Sequence, residues 1–286
     1  NRFIDCAGGG IYIDNYTNPG VVLSNLRVES NTLSGLGAKG GAAISCSAVE
    51  DSIFTNNLIT DCTAGGILFY ATMPGNRNTR NVVAGNTVYF RPGEGRYCLK
   101  LQQDCGDFTV FNNIFFGGCG GALTIYENAR AGLRSDYNLI GNQEGQILVG
   151  EKYPDDPPGE GFVMPAGEWK FEMGFDVHSI LGADPGFVSA EEGDFTLAAA
   201  SPAVDAGAAL AKVYAADIAG AARPAGAAYD IGCYEMPAAA APTETAAAGP
   251  QAPETIELRV FTATGEAIGG AAIDFQIDGE TGRAVT

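Results

Sequence analysis

Glu29-Ser-Asn31-Thr-Leu33 recurs as Thr55-Asn-Asn57-Leu-Ile59, Ala84-Gly-Asn86-Thr-Val88, Phe111-Asn-Asn113-Ile-Phe115 and Asp136-Tyr-Asn138-Leu-Ile140. Successive asparagines stand 26, 29, 27 and 25 residues apart, a near-constant period that marks a repeat architecture. A second apolar strand follows each asparagine after a Gly-rich turn: Ile11-Tyr-Ile13, Ala43-Ile-Ser-Cys46, Gly66-Ile-Leu-Phe69, Leu99-Lys-Leu101, Ala122-Leu-Thr-Ile125 and Gln146-Ile-Leu-Val149. The turns are too short for a crossover helix, so the period describes an all-β parallel solenoid. Its strands stack about 4.8 Å apart, and each coil buries its apolar face against its neighbours.

Residues 1–150 hold the regular coils. Alternation in the second strand turns Ile11, Ile44, Ile67, Leu99, Leu123 and Ile147 inward and Tyr12, Ser45, Leu68, Lys100, Thr124 and Leu148 outward. A further outward row holds Asp14, Ser47, Tyr70, Gln102 and Tyr126. An inward Asn at each turn can bond backbone groups and the Asn of the next coil, satisfying polar atoms otherwise buried unpaired. Seven cysteines is an odd number. Cys6, Cys62 and Cys119 fall in alternate coils, about 10 Å apart and beyond the roughly 7 Å Cα limit of a bridge. They are expected as buried free thiols.

The formal charge is −18, from 16 basic and 34 acidic residues. That balance argues against nucleic acid and anionic membranes, which need clustered Lys and Arg. It would also repel a polyanionic substrate unless a cation or a local basic patch intervened. No apolar run reaches the roughly 18 residues of a membrane span. Asn1 already lies in a ladder-like motif, Asn1-Arg-Phe-Ile4, so further coils are expected upstream in a longer, multidomain chain that is itself a monomer.

Residues 151–182 leave the repeat, with Tyr153-Pro-Asp-Asp-Pro-Pro-Gly159, Trp169, Phe171, Phe175 and the single histidine, His178. They read as an excursion packed over the solenoid's side. Then come Asp184-Pro-Gly-Phe187, Asp194-Phe-Thr-Leu197, Ser201-Pro-Ala-Val-Asp205-Ala-Gly207, Asp217-Ile-Ala-Gly220, Arg223-Pro224 and Asp230-Ile-Gly-Cys-Tyr-Glu235. This block resembles the C-terminal signature of bacterial secreted right-handed parallel β-helix proteins of the pectate-lyase-like kind. Cys233 stands where that group usually has Ala. The resemblance implies that residues 183–236 finish and cap a right-handed β-helix. Residues 237–254 are a Pro/Ala-rich linker. Within 255–286, Thr255–Phe261 and Ala272–Ile277 resemble the opening strands of a bacterial Ig-like module, too short here to complete a sandwich.

The resemblance further implies a secreted or cell-surface protein that meets a polysaccharide or surface glycan. Lyases, glycoside hydrolases, adhesins and surface stalks share the scaffold, so the site must choose among them. A lyase needs a base and cationic charge or Ca²⁺ for the enolate. Lys100 and Arg96 are the catalytic candidates, with Arg77 and Arg80 binding. The alternative is a solvated strand face. A hydrolase needs two carboxylates roughly 5 to 9.5 Å apart; Asp104 with Glu127, or Glu94 with Asp104, are the pairs, though 34 acids also create pairs by chance. Tyr12, Tyr70 and Tyr126 could stack on sugar rings, with Gln102 bonding hydroxyls, or serve as packing. His178, lacking a Ser or Cys partner motif, reads as structural. Asp155 and Asp156 with nearby carbonyls would suit Ca²⁺, the one cofactor the residues suggest, by a nonspecific pattern.

Overall fold

A computed structural model describes residues 1–15, 21–119, 121–141, 148–151, 162–237, 272–277 and 280–285. The chain divides into two units, Asn1–Ala239 and Ala240–Thr286. The first is a parallel β-solenoid built from four stacked sheets. Sheet I holds Arg27–Glu29, Ile53–Thr55, Val82–Ala84, Thr109–Phe111 and Arg134–Asp136. After the asparagine turn comes sheet II: Arg2–Ile4, Thr32–Ser34, Leu58–Thr60, Thr87–Tyr89, Ile114–Phe116, Leu139–Gly141 and Ile180–Leu181. Sheet III stacks Ile11–Ile13, Ala42–Cys46, Gly65–Phe69, Leu99–Leu101, Leu123–Ile125 and Leu148–Glu151 in parallel, then takes Phe162–Pro165 antiparallel. Sheet IV is a narrow ladder of Leu23–Ser24, Val49–Glu50, Asn78–Thr79 and Cys105–Gly106.

The repeated asparagines make the ladder that their spacing implies. Each donates Nδ2 to the Oδ1 of the next: Asn1 to Asn31, Asn31 to Asn57, Asn57 to Asn86 and Asn86 to Asn113 at 2.9 Å, and Asn113 to Asn138 at 3.0 Å. The residue before each is left-handed, with φ from 54° to 64° at Ser30, Asn56, Gly85, Asn112 and Tyr137. That bend leads the chain from sheet I into sheet II and turns the amide into the ladder, and Tyr137 adopts it although bulky side chains resist it. Inside the coils, Phe54, Phe69 and Phe108 pack edge to face with centroids 5.0 and 4.8 Å apart. Each such fully buried side chain contributes about 1.5–3 kcal/mol.

The register of the last coil differs from the expected one. Leu123 aligns with Val149 and Thr124 with Gly150, where Ile147 and Leu148 were expected; Ile147 lies outside the described residues. A slip of two residues preserves which face each position occupies, so alternation cannot detect it.

Residues 162–181 close the end of the stack rather than cover its side. Phe162–Pro165 is the outermost strand of sheet III and Ile180–Leu181 the outermost of sheet II. Between them a short helix, Ala166–Phe171, buries Trp169 in the core, where it stacks on Phe175 at 4.6 Å. Ser179 takes the ladder position, its Oγ accepting the Asn138 N–H at 2.8 Å. The buried Asp176 carboxylate accepts from Asn138 Nδ2, Trp169 Nε1, Ser135 Oγ and Ser179 Oγ at 2.6 to 2.9 Å. This satisfies the terminal amide, which has no further coil to bond.

The 183–236 block likewise lies elsewhere than at the end. It covers the outer face of sheet II, where Leu58, Tyr89, Ile114, Phe116 and Leu139 pack against Phe195, Leu197, Ala203, Ile231 and Cys233. Those outward residues are apolar, so the face needs a second layer. The Asp, Ser and Arg of the block hold that layer's turns: Asp217 accepts from Ala219, Ala221 and Glu235 N–H groups, and Asp230 from Asp205 and Met236. In the second unit, Ala272–Ile277 pairs antiparallel with Glu280–Val285; residues 238–271, including Thr255–Phe261, lie outside the described residues.

All seven cysteines are free. Cys62 is buried as expected, but Cys6 is half-buried in the first coil and Cys119 exposed. Cys119 follows two left-handed glycines, Gly117 and Gly118, in the connection between sheets II and III, where no strand covers it. Burial pushes the Cys62 thiol to about 11 and those of Cys105 and Cys233 to about 12. Ellman's reagent at pH 8 is therefore expected to count one to two thiols in the native protein and seven after denaturation.

Candidate functional site

With sheet II covered, the outer face of sheet III is the broad surface on which the candidates fall. Its register aligns Tyr12, Ser45, Leu68, Lys100 and Thr124 on successive coils. Tyr12 is 64% exposed, Leu68, Lys100 and Thr124 are half-buried, and Ser45 is buried. Lys100 Nζ lies 5.4 Å from the Tyr97 ring centroid and 5.6 Å from that of Tyr126, a cation held between two aromatic faces. Burial pushes the Tyr97 hydroxyl up to about 12. Arg96, just ahead of this strand, is exposed.

Tyr126 keeps the rung of Tyr70 and Gln102: its N–H bonds Leu101 O as theirs bond Cys46 O and Phe69 O, and its ring lies beside the outward Lys100. Unlike Tyr12 it is buried, with the 3₁₀ turn Glu127–Arg130 beginning directly after it, so it offers no open ring for stacking.

At the first three coils the outward side chains form one hydrogen-bonded cluster. Tyr70 OH donates to Tyr12 OH at 2.9 Å, and Tyr12 OH donates to Asp14 Oδ2 at 2.9 Å. Thr72 Oγ1 donates to Asp14 Oδ1 at 2.8 Å and lies 2.9 Å from Ser47 Oγ. Buried Asn76 donates to both Ser47 Oγ and Thr72 Oγ1 at 3.2 Å, pinning the loop that follows Tyr70. The bond from Tyr70, burial and Asp14 together raise the Tyr12 hydroxyl above its ordinary range.

Beside sheet IV lies a depression of about 310 Å³ lined by Arg77, Thr79, Asp104, Asp107 and Asn128, with backbone from Gly106 and Gly132. It unites two sequence candidates, Arg77 and Asp104. Glu127 does not line it; that side chain is exposed and 3.6 Å from Arg130. Glu94 belongs to a separate loop after Arg91. Asp107 and Asn128 escaped the sequence reading. Backbone conformation places Asp107: it and Asp104 are both left-handed, at φ 55° and 65°, and flank the short strand Cys105–Gly106. Asp107 leans over Gly132, where its Oδ1 occupies space a Cβ would need.

Arg80 is committed elsewhere, bonding Asp51 at 2.8 Å and Glu50 at 2.6 Å. Gln102 is half-buried and its backbone N–H bonds Phe69. His178 Nδ1 lies 2.6 Å from Asp136 Oδ2, and its ring stacks on Tyr137 at 5.0 Å. Asp155 and Asp156 lie outside the described residues. Among the described residues no three His, Cys, Asp or Glu side chains converge to hold a metal ion, and no helix is long and apolar enough to cross a membrane.

Among known families, the model described as "Right handed beta helix region" matches residues 1–152. No curated protein and no solved structure matches the chain. That match covers more than half of the 286 residues and coincides with the stacked coils, so the chain belongs to the right-handed β-helix family.

Proposed function

We propose that this β-helix is an exported, glycan-recognising module that binds a polysaccharide along the outer face of sheet III. One contrast carries the reading. The apolar outer face of sheet II is sealed by residues 183–236, whereas sheet III presents Tyr12, Tyr70, Lys100 and Thr124 at its outer surface. Aromatic rings interleaved with hydroxyls and charge suit ligands that have both apolar C–H faces and many hydroxyls. Affinity electrophoresis of the full chain through gels containing single polysaccharides tests this. Retardation by at least one glycan is expected, and mobility unchanged across a broad panel rejects the reading.

Cleavage has one observation behind it. Asp104 and Asp107 share a depression with Arg77, which places two carboxylates and a cation around one space. New reducing ends would mark hydrolysis and new absorbance near 235 nm a lyase. Neither signal, with and without Ca²⁺, would leave a binding or stalk module.

A further inference from the structure

The Tyr12 cluster has two properties that separate it from the rest of the face. The first is preorganisation. The Tyr12 ring is 64% exposed, yet its hydroxyl is held from both sides, by Tyr70 and by Asp14. A large ring fixed with its face open loses little freedom when a partner settles on it. The second is charge. Tyr12, Asp14, Ser47, Tyr70, Thr72 and Asn76 bond one another with Asp14 as the only ionisable acid and no Lys or Arg among them. Lys100 stands three strands from Tyr12 along the row, about 14 Å at the usual strand spacing, and one strand from the coil of Tyr70.

We propose that the Tyr12 ring is the floor of a subsite for an uncharged pyranose, with Asp14, Tyr70 and Thr72 as its hydrogen-bonding rim. The inference rests on the glycan reading above and narrows it. The apolar face of the sugar covers the ring. The Asp14 carboxylate, which offers about four acceptor sites and uses one on each oxygen here, takes sugar hydroxyls. A uronate over the Tyr12 ring would set its carboxylate against Asp14, and among the described residues no Lys or Arg bonds the cluster.

The test is affinity electrophoresis of the full chain and two variants in gels containing glucomannan, dextran or soluble starch, against polygalacturonate or alginate. The wild type is expected to be retarded by a neutral polysaccharide and not by the uronates. Tyr12→Ala should weaken that binding about tenfold or more, while Tyr12→Phe, which keeps the ring, should stay within about threefold. Far-UV circular dichroism checks that both variants keep the fold, as an exposed position allows. Neutral-glycan binding left intact by Tyr12→Ala overturns the subsite but not the glycan reading. Preference for uronates overturns the uncharged-sugar assignment. No retardation by any gel overturns the subsite and the glycan reading together.

Discussion

Replacing Asn86 with alanine is expected to lower the unfolding free energy by about 2–6 kcal/mol, from two stranded polar groups at roughly 1–3 kcal/mol each. Asn86 is fully buried at the middle of the ladder. Its Oδ1 accepts the Asn57 backbone N–H at 3.0 Å and Asn57 Nδ2 at 2.9 Å, while its Nδ2 donates to Phe54 O and Asn113 Oδ1 at 2.9 Å. Alanine strands both Asn57 donors where water cannot replace the lost partner. Asn86→Asp keeps the shape but removes the donors and adds a buried charge, so it should be no better tolerated. Equilibrium urea unfolding followed by circular dichroism measures both. An Asn86→Ala midpoint close to the wild type would mean that the coils are held by apolar packing alone.

The second large effect is expected at Arg223. Its side chain and that of Glu235 are 0% and 1% exposed, and their Nη1–Oε2 distance is 3.0 Å. Arg223 also donates to Asp230 O at 2.9 Å and Gly232 O at 2.7 Å, and its guanidinium lies over the Tyr214 ring at 5.2 Å. Glu235 in turn accepts the N–H groups of Ala225 and Asp230. Arg223→Met leaves Glu235 as a buried charge without its counter-ion, which costs about 3–5 kcal/mol. The layer over sheet II should loosen and expose Leu58, Ile114 and Leu139, so a dye for apolar surface should bind the variant before the coils unfold. Arg223→Met combined with Glu235→Gln should cost less than the sum of the two single changes, because no charge is then buried alone.

The pH dependence follows from the same pair. Burial raises the Glu235 carboxyl above its ordinary range, and the backbone N–H bonds and Arg223 pull it back down. Without Arg223 it rises further. A carboxyl raised in the folded state binds its proton more tightly there than in the unfolded chain. The variant therefore loses stability as pH rises through that window and recovers some as pH falls. The gap between variant and wild-type urea midpoints should narrow from pH 7 to pH 5, and a constant gap would show that Glu235 is not the group left stranded.

Much of the architecture was legible because it is local and periodic. The Asn spacing implied the coils, the ladder and the inward Ile and Leu of sheet III, since each depends only on the residue one coil away. Lys100 and Tyr12 were placed on one outward row by alternation alone, and the register confirms that row. Tyr126 holds the rung that alternation gave it, beside Lys100, but it is buried, and alternation says nothing of what covers an outward side chain. Asp107 was passed over because its place beside Asp104 depends on two left-handed turns and the next coil's Gly132, which alternation does not describe.

The amino-acid order by itself determined that this chain winds into stacked coils with asparagines in line, because repeating a pattern at a fixed interval repeats the same short-range chemistry. Only the tertiary structure decided which outer face remains for a ligand. Cys233 bonds Thr87 across 146 residues and Asn112 bonds Ala208 across 96. Contacts of that separation are selected by shape and by the need to cover apolar surface, and no local period encodes them.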